Sequence, residues 1–144
     1  MSGGDLLLVD AGGTFTRLAL AGADGTIGTS EVVETAAFAG LTDAARDFLA
    51  AHGAAPRRAA IAAAGPVEHG VVQMTNGPRW LIDPGALADA LALSRVVLVN
   101  DFAAVAAAAP RLPPARLTAL NAGEADGGAI AVVGPGTGLG VAIV

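Results

Sequence analysis

Cysteine and lysine are both absent from the 144 residues. Without cysteine there is no disulfide framework and no thiolate metal site. Without lysine there is no Walker-type P-loop, because GxxxxGK[ST] needs its lysine at the phosphates. Schiff-base chemistry and a kinase-type strand lysine are excluded with it, since all 8 basic residues are arginine. Long apolar runs are missing as well. The chain is 53% hydrophobic, yet no uninterrupted run approaches the ~20 residues that span a bilayer. Much of the hydrophobic count is alanine, a helix former that adds little burial. No basic region followed by an apolar stretch and a cleavage site stands at the N-terminus, so no signal peptide is expected. The net charge of −5 lacks the basic stripe of a nucleic-acid binder. The expectation is a soluble cytoplasmic chain with neither nucleic acid nor membrane as partner.

What is present reads as alternating strands and helices. Leu6 to Val9 is a short apolar run ending in Asp10, Phe15 to Leu20 a second strand, and Thr26 to Val33 a third. Short glycine turns between them predict an antiparallel meander. Leu41 to Gly53 is the clearest helix: Leu41, Ala44, Ala45, Phe48 and Leu49 share one face. Thr42 is its expected N-cap and Gly53 its expected left-handed stop. Arg58 to Ala63 and Val71 to Met74 read as strands. Asp83 followed by Pro84 opens another helix, whose Leu87 and Leu91 share a face. Val96 to Val99 reads as a buried strand leading into a helix that carries Phe102, Val105, Ala106 and Ala109 and stops at Pro110. RLPPARL, residues 111–117, breaks the pattern and is the expected domain boundary. Ala129 to Val133 and Val141 to Val144 read as two strands flanking GPGTGLG. A meander followed by strand–helix alternation indicates an α/β fold with a mixed sheet.

Three constellations could carry chemistry. In VDAGGTFTR, residues 9–17, Asp10 ends a strand and Gly12, Gly13 and Thr14 make a tight turn. Glycines let backbone N–H groups approach an anion, and successive N–H groups form a concavity suited to phosphate. A carboxylate beside phosphates is unfavourable unless a divalent cation lies between; a hairpin with an incidental acid is the other reading. GPGTGLG, residues 134–140, is a second glycine-rich turn between apparent strands. It cannot complete a G-x-G-x-x-G, because Leu139 and Val141 hold the third-glycine positions. Asn100-Asp101 stands at the carboxyl end of a strand, where ligands sit in open α/β sheets. Asp101 could be only a helix cap, but capping leaves Asn100 unexplained. Together the pair offers a donor and acceptors suited to a polyhydroxylated ligand. MTNGPRW, residues 74–80, reads as a turn with an exposed Trp80, the only tryptophan. His52 and His69 have no ligand spacing and read as solvated.

Taken in order, these motifs resemble those of bacterial glucokinases of the hexokinase–actin–Hsp70 superfamily. VDAGGTFTRLAL is similar to the family's first phosphate motif, and VVLVNDFAAVA to its sugar-binding and catalytic segment. GPGTGLGVA is similar to its second glycine hairpin, and MTNGPRW to a segment lying between the first two. The match runs over nearly the entire chain. The repressor–kinase sugar kinases share the first motif, but the combination is closer to the glucokinase branch. The resemblance implies a ribonuclease-H-like (actin-like ATPase) small domain with a mixed sheet over residues 1–110. Residues 111–144 would be a linker and the first strands of a second, larger domain.

Carried over residue by residue, the resemblance makes Asp101 the catalytic base facing the 6-hydroxyl of glucose and gives Asn100 the sugar hydroxyls. Asp10, Ala11, Gly12, Gly13 and Thr14 would face ATP and Mg²⁺, with Asp10 reaching the metal only through its water. Gly136 and Thr137 would line the phosphate side and Gly138 the sugar side. The implied partners are glucose and ATP, and a homodimer is the family expectation. The family's further sugar ligands and adenine segment lie downstream of the glycine hairpin, so the expectation for these 144 residues alone is weak or absent activity. A non-catalytic sugar- or nucleotide-binding module, or another sugar kinase or ATPase of the superfamily, are the alternatives. Asn100-Asp101 favours a sugar kinase over a plain ATPase, which has no need of a hydroxyl clamp.

Overall fold

The computed structural model describes residues 4–121, 123, 127–135 and 139–144. They fall into two compact units, Met1–Asp101 and Phe102–Val144. In the first, β1 (Leu6–Ala11), β2 (Phe15–Ala21) and β3 (Ile27–Glu34) form the expected antiparallel meander. After α1 (Leu41–Ala51), β4 (Arg58–Ala63) returns parallel to β1. Next come three short strands, β5 (Val67–Glu68), β6 (Val71–Gln73) and β7 (Leu81–Ile82), paired in a small antiparallel sheet. Helix α2 (Pro84–Leu91) then leads to β8 (Arg95–Asn100), parallel to β4. The main sheet has the order β3-β2-β1-β4-β8 and is mixed, as expected.

Strand alternation decides where the core lies. Leu7, Val9 and Ala11 of β1 point to one face and are fully or nearly fully buried, with Ala59, Ile61 and Ala63 of β4 beside them. Leu41, Ala44, Ala45, Phe48 and Leu49 of α1 and Leu87 of α2 join the same cluster, so both helices cover that face.

The helix signals are borne out with one exception. Gly53 adopts the left-handed conformation, φ 57°. Asp83 accepts hydrogen bonds from the N–H groups of Gly85 (2.8 Å) and Ala86 (3.3 Å), capping α2. Replacing Asp83 by alanine is expected to cost about 1 kcal/mol of stability, read from denaturant unfolding. Thr42, however, is not the N-cap of α1. Gly40 holds that position, its carbonyl accepting the N–H groups of Asp43 and Ala44. Leu41 is thereby the first helical residue, and its side chain is in the core, 3% exposed.

Trp80 also departs from expectation, being buried rather than exposed. Residues 74–80 fold back on themselves: the Met74 N–H donates to the Trp80 carbonyl (2.9 Å) and the Gln73 amide to the Arg79 carbonyl (2.8 Å). The indole is thereby turned inward, and its Nε1–H donates to the Phe38 carbonyl at 3.2 Å. A buried indole needs such a partner.

In the second unit, α3 (Asp101–Ala108), which starts at the last residue of the first, runs into a 3₁₀ turn at Ala109–Arg111, so Pro110 does end the α-helix. Strands β9 (Ala131–Pro135) and β10 (Leu139–Ile143) form an antiparallel hairpin. Its ladder reaches two residues further toward the turn than the expected strands, through the pairs Gly134–Gly140 and Pro135–Leu139. The Phe102 ring lies against both Gly134 and Gly140, where any Cβ would overlap it. These two glycines therefore make room for a ring. Among the described residues no helix is long and apolar enough to cross a membrane.

Candidate active site

Strands β1, β4 and β8 pair in full register, from Leu6–Arg58–Arg95 at one end to Ala11–Ala63–Asn100 at the other. Their carboxyl ends therefore lie in one row, with β1 and β8 roughly 10 Å apart across β4. Gly12, Ala64 and Asp101 each follow directly after that row. This is the edge at which open α/β sheets bind ligands. The glycine turn and the Asn-Asp pair, 87 residues apart from Gly13 to Asn100, thus leave the sheet at the same edge.

The turn has a definite polarity. The Gly12 N–H closes the hairpin on the Phe15 carbonyl (3.1 Å). The Gly12 carbonyl accepts the Thr35 hydroxyl (2.8 Å) and the Thr14 carbonyl accepts the Thr35 N–H (2.9 Å). The Gly13 carbonyl faces Gly77, since a Cβ on Gly77 would lie 2.7 Å from its carbon. All three carbonyls are turned onto the protein. The N–H groups of Gly13 and Thr14 make no hydrogen bond among the described residues. In a trans peptide C=O and N–H point opposite ways, so both amides are directed away from the carbonyls' partners. That donor set fits a phosphate.

Asp10 sits on the opposite face from the core. Its Oδ2 accepts from Arg17 Nη1 at 2.9 Å, and the two residues are directly opposed across the hairpin. The pair is about half exposed on each side, 60% for Arg17 and 48% for Asp10, so it contributes little stability. A guanidinium from the same hairpin already balances the acid. Among the described residues no three His, Asp or Glu side chains converge to hold a metal. Mg²⁺ keeps several waters and leans on substrate phosphates; one nearby carboxylate able to take a metal-bound water fits that habit.

Asn100 and Asp101 are half-buried and joined: Asn100 Nδ2 donates to Asp101 Oδ1 at 2.9 Å and to the Gly65 carbonyl at 3.0 Å. Gly65 can hold this position because its φ of 155° needs a glycine and because a Cβ there would press on Val72 and Gln73. The amide thus spans the loop after β4 and the acid after β8, fixing how Asp101 is presented. Asp101 also lies in the first turn of α3. Gly136, Thr137 and Gly138 lie outside the described residues. His52 is exposed and paired with Glu31 at 2.8 Å. Sequence reasoning missed Thr35 and the backbone approach of Gly77 to Gly13, because neither belongs to a local pattern around the turn.

A family model described as Glucokinase matches residues 7–144. A curated glucokinase of Paramagnetospirillum magneticum is 39% identical over 139 residues, covering 94% of this chain and 43% of that protein. The crystal structure of a glucokinase from an Antarctic psychrotroph superposes with TM-score 0.80 at 36% identity, over 96% of this chain and 45% of the other. A ROK family glucokinase from Streptomyces griseus, crystallised with glucose and AMPPNP, shares the fold: TM-score 0.60 and 23% identity, over 96% of this chain and 44% of the other. The chain spans well under half the length of each.

Proposed function

This chain belongs to the glucokinase family, and from that premise we propose that the protein phosphorylates glucose at its 6-hydroxyl with ATP, yielding glucose 6-phosphate. The observation that carries the reading is the single row of strand ends from which the glycine turn and the Asn100-Asp101 pair both emerge. The finer architecture proposed with it is a ribonuclease-H-like small domain over 1–110 and the opening strands of a larger domain over 111–144.

Bound Mg²⁺-ATP supplies the transferable phosphoryl group and offsets its charge. The chain's residues do the rest. The amides of Gly13 and Thr14 hold phosphate oxygens, and Asp10, paired with Arg17, is the side chain that would hold a metal-bound water. Asp101 orients the sugar hydroxyl for in-line attack and accepts its proton as the oxygen bonds to phosphorus. A carboxylate is a feeble base toward a free alcohol, so the proton moves only late. Until then positioning is its main contribution, worth several kcal/mol in principle. Asn100 holds the Asp101 carboxylate from one side and meets the sugar on the other; Gly136, Thr137 and Gly138 are proposed for the cleft by resemblance. A cytoplasmic homodimer at the entry to glycolysis is the setting the resemblance supports.

Glucose-dependent ADP release from the purified protein, with the product identified by phosphorus NMR, tests the reading. Glucose 6-phosphate is the expected product. Nucleotide or sugar binding without turnover would support a non-catalytic module instead, and ADP release indifferent to glucose would point to an ATPase.

A further inference from the structure

We infer that Thr35, far from the glycine turn in sequence, is the positioning residue that aims the turn's amides at phosphate. The inference rests on the nucleotide reading of that turn. Thr35 is fully buried where the chain leaves β3, and it holds both arms of the turn at once. Its hydroxyl donates to the Gly12 carbonyl (2.8 Å) and its N–H to the Thr14 carbonyl (2.9 Å). Gly13 lies between the two anchored residues.

The direction of every proton in this cluster follows. A threonine hydroxyl has one hydrogen and can accept two bonds. Thr35 gives its hydrogen to Gly12, so its 3.0 Å contact with the hydroxyl of Thr16 must use the Thr16 proton. Thr16 is also fully buried. The result is a one-way chain, Thr16 to Thr35 to the Gly12 carbonyl, in which each bond polarises the next. Peptide planarity transmits it further. Because the Gly12 carbonyl is drawn to Thr35, the Gly13 N–H in the same peptide plane points the other way. Remove the hydroxyl and the Gly12 carbonyl must turn to find another donor, which swings the Gly13 amide off its target.

The test compares Thr35→Val, Thr35→Ser and the wild type. MgADP affinity is measured by titrating the fluorescence of Trp80, whose segment abuts Gly13 through Asn76 and Gly77, with calorimetry as a second reading. Thr35→Val is expected to weaken MgADP roughly tenfold or more, while Thr35→Ser stays within about threefold of wild type. The Michaelis constant for glucose should not move in either, whereas that for ATP should rise in Thr35→Val. Equal MgADP affinity in Thr35→Val and wild type would overturn the assignment. If Thr35→Val does not melt cooperatively, Thr35→Ala is read by the same thresholds. Loss of folding in both makes Thr35 a folding residue and also overturns it. A wild-type protein that ignores MgADP strikes at the nucleotide reading itself, so the two failures are distinguishable.

Discussion

Asparagine in place of Asp101 is expected to lower glucose-dependent ADP release by roughly 10²–10⁴-fold, the range of a lost general base. The substitution keeps size and shape, and the carbonyl oxygen of the new carboxamide can still accept from Asn100 Nδ2 as Asp101 Oδ1 does now at 2.9 Å. What it removes is the negative charge and the site for the proton. The strand-end row stays intact, so the Michaelis constant for ATP should hold within about twofold, well inside the tenfold that about 1.4 kcal/mol would give. Stability should change by no more than the ~0.3–1 kcal/mol that an acid contributes in the first turn of a helix. Steady-state kinetics with both substrates varied, beside a thermal melt, decides it. A variant keeping more than a tenth of wild-type turnover would remove Asp101 from the proton step.

The second large effect is expected at Gly77. Alanine there meets two penalties. The residue sits at φ 74°, which costs an L-residue about 1–2 kcal/mol. Its Cβ would also overlap the Gly13 carbonyl, standing 2.7 Å from the carbon and 2.9 Å from Cα. Backbone on both sides cannot swing aside as a flexible side chain would, so a further ~1–3 kcal/mol is expected. Gly70→Ala separates the two penalties: its φ is 84°, but nothing lies within 4 Å of the added carbon. Gly70→Ala should cost about 1 kcal/mol. Gly77→Ala should cost about 3 kcal/mol or more and weaken MgADP binding, because Gly13 is the residue displaced. Equal destabilisation of the two in urea unfolding would show that the approach to Gly13 carries no weight.

The two glycine turns teach different lessons about reading such motifs. At residues 12–14 local pattern is a good guide to the turn and its flanking strands, while Thr35 and Gly77 decide where its amides point. At 134–140 the same composition reads as a second glycine-rich hairpin that brings bare backbone to a ligand, with no separate task for Gly134 and Gly140. Gly134 and Gly140 are a cross-strand pair kept bare for the ring of Phe102. Composition reports that backbone must be approached closely; it does not say by what. Trp80 makes the same point. Its flanking turn residues predict exposure, yet a hydrogen bond to Phe38, 42 positions away, holds it inside.

By itself the sequence determined the meander, the helix on residues 41–51, the capped start of α2, the mixed sheet and the glycine turn with its Asn-Asp counterpart, because period, caps and turn residues act over a few positions. Only the tertiary structure decided that β1, β4 and β8 end in one row, that Arg17 faces Asp10 and that Thr35 and Gly77 orient the turn. Those depend on strand register and on contacts between residues 7 to 64 positions apart, from Asp10–Arg17 to Gly13–Gly77. No local pattern encodes a partner that distant.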